Sequence, residues 1–166
     1  MSRYIRRSVL AVLAVVILTA TAIAQNQSKP LTSLKVQVVL SRYEGDKKIS
    51  SHPYILAVTA NQPQGVNLRM GSQVPVSTGP ETIEYKNVGT NIECAASSTD
   101  DGRFQVQVQI EDSSVMERRS DFPPTLRTFA TTNTLVLKDG QTAQFTAADK
   151  MTGEVVRVDI TMTVEK

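Results

Sequence analysis

Tryptophan is absent from this chain, cysteine and histidine occur once each, and aromatic residues make up only 5% of it. Each scarcity removes a class of function. With Cys94 alone no intrachain disulfide can form, so the fold must be held by its core or by its partners. One Cys and one His offer no paired ligand spacing, and neither metal nor any other cofactor is expected. His52 precedes Pro53 with no nucleophile or acid at a fixed spacing. A lone imidazole without an orienting partner carries no catalytic geometry, and it reads as a loop residue. Ser97-Ser98 and Ser113-Ser114 lack the turn that exposes a nucleophile, and no glycine-rich phosphate cradle occurs. The scarce aromatics count against stacking on sugars or on single-stranded nucleic acid. Together these absences point away from an enzyme.

A basic surface is missing as well, once the start of the chain is set aside. Arg3, Arg6 and Arg7 precede the uncharged run Val9 to Leu18, and Ala22 and Ala24 stand just before Gln25. That is the order of a secretory signal peptide, with an apolar run too short for an ordinary membrane span. The expected organisation is a helical signal peptide at 1–24, a flexible lead-in at 25–33 and a single β domain at 34–166. Removing the leader takes away three arginines and no acidic residue, so the net charge of +2 becomes −1. A near-neutral domain is a poor nucleic-acid partner, and none is expected. No transmembrane helix is expected in the mature chain either. The chain is expected to be exported, to the periplasm or to a site associated with the outer membrane.

What the chain does have is alternation. In "DGRFQVQVQIED" Phe104, Val106, Val108 and Ile110 alternate with Gln105, Gln107, Gln109 and Glu111. This is a strand with one dry and one wet face. Leu34, Val36, Val38 and Leu40 repeat the pattern, as do Tyr54, Leu56, Val58 and Ala60, and finally Val156, Val158, Ile160, Met162 and Val164. Phe104 to Ile110, with Val156, Val158 and Ile160, are the predicted core. Cys94 falls on the apolar phase of "NIECAAS" and is expected to be a buried thiol. Gly71 separates "VNLRM" from "QVPVS", and Gly89 joins "TIEYKNV" to "TNIECAAS". Pro75 cannot donate a ladder hydrogen bond, which places "VPV" at a sheet edge. Asp100, Asp101 and Gly102 lack the later acidic ligands of a calcium loop and read as a hairpin turn. The stretch "SSVMERRSDFPPTLR" is the longest interruption. The predicted class is all-β, an antiparallel β-sandwich or sheet stack of roughly eight to ten strands.

Four stretches resemble one family in its own order. "LRMGSQVPVSTG", "YKNVGTNIECAAS", "DGRFQVQVQIEDSSV" and "TNTLVLKDGQTAQF" are similar to successive segments of the bacterial secretins. Together they span Leu68 to Phe145. Secretins are the outer-membrane channel proteins of type II and type III secretion and of type IV pilus systems. The resemblance implies a β module repeated around a ring, with strands of neighbouring subunits sharing a barrel. The chain departs from the pattern in leaving no room for a long gate hairpin between "VPVSTG" and "ETIEYKNV". After "KDGQTAQF" it also replaces the family's Gly-Gly-Leu ending by "TAADKMTGEVVRVDITMTVEK", and its front holds strands rather than α/β ring-building domains. The likeness and the departures together imply a small secretin-like domain acting by protein–protein interaction, with an envelope protein or with copies of itself as partner. The expected contact surface is Val74, Pro75 and Val76 with the charged loop at Glu117, Arg118 and Arg119. Two other readings compete: a stand-alone binding protein whose "SSVMERRSDFPPTLR" loop is the mouth of a small-ligand site, and an autonomous oligomeric pore.

Overall fold

The computed structural model describes residues 29–77, 82–116 and 125–165. The expected leader lies outside them, as do residues 25–28 of the lead-in, while Thr32 and Ser33 already belong to the first strand. The described chain forms β1 (Thr32–Glu44), β2 (Lys47–Ala60), β3 (Val66–Ser77), β4 (Ile83–Ser98), β5 (Phe104–Val115), β6 (Leu126–Leu137), β7 (Thr142–Ala148) and β8 (Glu154–Val164). They pair into two antiparallel sheets of four strands, ordered β2-β1-β8-β7 and β3-β4-β5-β6.

The alternation read from the sequence sets which face of each sheet is dry. Leu34, Val36, Val38 and Leu40 of β1 and Val156, Val158, Ile160 and Met162 of β8 meet Ile92 and Cys94 of β4 and Val106, Val108 and Ile110 of β5 in one core. Phe104 is only half-buried at the end of its row. Gln105, Gln107 and Gln109 face outward and are exposed. Pro53 and Pro75 both sit on edge strands, β2 and β3, where a residue without an N–H leaves the inner ladders intact. In the β4–β5 turn Gly102 has φ +76°, and the Asp101 carboxylate accepts hydrogen bonds from the Thr99 hydroxyl (2.5 Å) and the Arg103 N–H (3.3 Å).

Two expectations need correction. Gly71 and Gly89 do not break strands; both lie inside them, and the β3–β4 register sets them directly opposite each other. A Cβ on Gly71 would stand 2.3 Å from the Val88 carbonyl oxygen, and one on Gly89 2.2 Å from that of Met70. Gly89 also has φ +141°, a conformation costly for any L side chain. The pair lets two backbones approach closely without ending either strand. His52 is likewise no loop residue, since β2 starts at Lys47 and pairs His52 with Leu40. Alternation could not reveal this half of β2, because side chains on both its faces are largely wet.

Candidate interaction site

The β4–β5 ladder begins at Thr90 opposite Asp112, yet the two hairpins that contain these strands run on. β3 and β4 stay paired as far as Ser77 opposite Ile83, and β5 and β6 as far as Val115 opposite Leu126. One end of this sheet is therefore forked into two arms, each two strands wide. Ser113 stands at the crotch. Its hydroxyl accepts the Gly89 N–H at 3.1 Å and donates to the Gly89 carbonyl at 3.2 Å, replacing both ladder bonds at the point where the strands part.

The first arm carries half of the expected surface. Val74 and Val76 are half-buried and Pro75 is exposed. Glu117, Arg118 and Arg119 lie outside the described residues. The arm also bares Ile83 and Tyr85, each 64% exposed, which sequence reasoning passed over. Their signal was present in "TIEYKNV", where apolar side chains alternate on a segment that no third strand covers. Glu84 and Lys86 form an ion pair on the arm's other face, directly across the ladder from Val76 and Val74. A shallow groove of about 450 Å³ passes over the Gly71–Gly89 crossing, bordered by Arg69, Gln73, Asn87, Asn91, Glu111 and Ser113.

Beneath the fork the apolar core gives way to charge. Arg42 of β1 forms an ion pair with Asp112 of β5 and donates to Glu154 of β8 at 2.7 Å. Arg127 of β6 donates to the other Glu154 oxygen at 2.7 Å and lies 3.3 Å from Asp149. The Thr90 hydroxyl donates to Asp112 at 2.7 Å and lies 3.0 Å from the Tyr54 hydroxyl of β2. Of the ion-paired side chains that join the sheets, Arg42, Asp112, Arg127 and Glu154 are at most 20% exposed and Asp149 is 29% exposed. Burial works against the charge of Arg42, but its hydrogen bonds to Asp112 and Glu154 outweigh that and raise its pKa. Burial likewise pushes Glu154 up, and the hydrogen bonds from Arg127 and Arg42 bring it below the usual carboxylate range. Sequence reasoning missed this cluster although it left a trace. Arg42, Asp112 and Glu154 each continue the apolar phase of their strand by one step, after Leu40 and Ile110 and before Val156. A charge on the dry face asks for a partner across the core.

Little in the described residues resembles a reaction centre. His52 is exposed, and no group of three His, Cys, Asp or Glu is placed to hold a metal ion among them. Cys94 is buried, and burial pushes its thiol up to about 12, far from a reactive thiolate. Among the described residues no helix is long and apolar enough to cross a membrane, which says nothing about strands.

Comparison with known proteins agrees with this geometry. The Secretin family, described as "Bacterial type II and III secretion system protein", matches residues 40–146, a span that reaches further towards the N-terminus than the four stretches first noted. No curated protein matches the chain. Among solved structures, the type II secretin GspD of enteropathogenic Escherichia coli superposes with a TM-score of 0.58 at 12% identity, over 91% of this chain and 74% of that one. The InvG secretin-domain β-barrel of the Salmonella SPI-1 injectisome gives 0.53 at 10% identity, over 92% and 68%. GspD of E. coli K12 gives 0.53 at 14% identity, and there the chain spans only 54% of its counterpart. At such identities the structures speak for the fold alone. The sequence match covers well over half the chain, and β3 to β6, the sheet that forks, lie wholly inside it. This chain belongs to the secretin family.

Proposed function

We propose that this chain is an exported, non-enzymatic β module of the bacterial envelope, working by strand-to-strand contact with an envelope protein or with further copies of itself. The observation that carries this reading is the β3–β4 arm. Past Thr90 it is a two-stranded ribbon whose β4 edge has no β5 partner, and it exposes Ile83, Tyr85 and Pro75 on one face, with the half-buried Val74 and Val76 on the other. An open edge with apolar side chains is the form a sheet takes where another strand is to be added. The charged residues Glu117, Arg118 and Arg119 are proposed as a further part of the contact. Export follows from residues 1–24 acting as a cleaved signal peptide, leaving 25–33 as lead-in to the domain at 34–166, in the periplasm or at the outer membrane. No cofactor takes part.

Photo-crosslinkers placed at Tyr85 and Arg119 in intact envelopes test this. Adducts to a defined envelope protein, or a ladder of self-adducts, are expected; only uncrosslinked monomer at native expression and low salt overturns the reading. The groove over Gly71 and Gly89 favours a second reading, a monomer that binds a small polar ligand there. That reading expects no adducts, and a melting temperature that rises with ligand concentration.

A further inference from the structure

The charged cluster lies at the root of both arms. On the first arm, Thr90 follows the Gly89 crossing and is tied to Tyr54 and Asp112. On the second, Asp112 precedes Ser113, and Arg127 pairs with Ser114 across the β5–β6 ladder. Arg42 and Glu154 stand in the opposite sheet and hold the root of the second arm. Arg42 binds Asp112, Glu154 binds Arg42, and Arg127 binds Glu154. Both strands of the second arm are thus tied to the opposite sheet, β5 through Asp112 and β6 through Arg127, while the first arm reaches that sheet through Thr90 and Tyr54. Ser113 and the Thr90–Asp112 hydrogen bond stitch the two arms together directly at this level. A sheet end held by backbone ladders alone would leave two separate ribbons free to twist independently, since strand pairs have a strong intrinsic twist.

We infer that Arg42 and Glu154 form a clamp that holds the β5–β6 arm on the β1–β8 pair and thereby fixes its spread from the β3–β4 arm. Arg42 is the positioning residue at its centre, because it alone contacts both Asp112 and Glu154. The Gly71–Gly89 crossing, where the two backbones lie close together, marks the foot of the first arm. The clamp determines the direction in which the arms are presented, whatever meets them, so its test does not depend on the partner proposed above.

Cysteines placed at Tyr85 on one arm and Val115 on the other accept nitroxide labels, both sites being exposed, while Cys94 stays buried and unlabelled. Pulsed electron paramagnetic resonance on the protein alone then reads the distance between the arms. One narrow distance is expected with the native clamp, and a broadened or second distance with Arg42→Met. Val158→Ala weakens the core away from the cluster and is expected to leave the distance narrow. An unchanged distribution in Arg42→Met overturns the inference, as does equal broadening in Val158→Ala. Should Arg42→Met fail to fold, Asp112→Asn decides in the same way, because it keeps an acceptor for Thr90 and removes only the charge that Arg42 holds.

Discussion

Val108 and Gln107 are neighbours on β5 that face opposite ways, one 1% exposed and the other on the exposed face. Truncating Val108 to Ala removes buried methyl groups and leaves a partial cavity, at a cost of about 1–3 kcal/mol. Gln107→Ala removes a side chain that bonds to none of the described residues and is expected to change stability by less than about 0.5 kcal/mol. Denaturant titration of the two variants compares them directly, and equal losses would contradict the assigned faces. Cys94 offers a second check at this scale. With its thiol raised to about 12 by burial, it should resist a thiol reagent in mildly alkaline buffer until the domain unfolds. Its rate of modification then tracks the opening of the core, and prompt reaction in the native state would place it elsewhere.

At the scale of strands, the sequence was most legible where one face is dry. β1, β5 and β8 were read with their inward residues correct, because burial on one side imposes period two. The first half of β2 was lost because both its faces are wet, so backbone pairing with β1 defines it while side-chain pattern does not. β3 and β4 were cut at Gly71 and Gly89 because glycine marks a turn and a close crossing alike, and only the register tells them apart. Gly89→Ala should accordingly destabilise the domain by more than the ~1 kcal/mol of an ordinary strand substitution, since the new methyl group would meet the Met70 carbonyl. Gly45→Ala, at a turn where a Cβ meets nothing within 4 Å, should cost only the strain of its φ of +57°. Comparing thermal midpoints of the two variants measures the crossing itself. Of the candidate site, Pro75 and its edge were legible from the missing N–H, whereas the fork was not. It arises where one ladder stops while two others continue, a relation between four strands that no single segment records.

For the molecule as a whole, the charged cluster makes stability depend on acidity. Glu154 is held below its ordinary value of 4.5 in the folded state, so its contribution is complete above that value and is lost as pH falls through the depressed one. Denaturant midpoints are expected to fall in acid, and Glu154→Gln should flatten that part of the profile while lowering stability at neutral pH. A variant whose acid profile matches that of the native chain would show that Glu154 is not responsible. Asp101, lowered by its hydrogen bonds to Arg103 and Thr99, stands in solvent at a turn and should leave the profile unchanged when replaced by Asn. The sheet order β2-β1-β8-β7 has a consequence of another kind, for the timing of folding. β1, the first described strand, lies between its hairpin partner β2 and the last strand β8, with Leu34 opposite Val164. A chain emerging from its N-terminus can close the β1–β2 hairpin early, but the other flank of β1 stays open until nearly everything else has been delivered. Contacts between segments so far apart in the chain are slow to form. The polypeptide is thereby kept from completing its core until β8 has joined, and that strand acts as the latch that commits it to the native state.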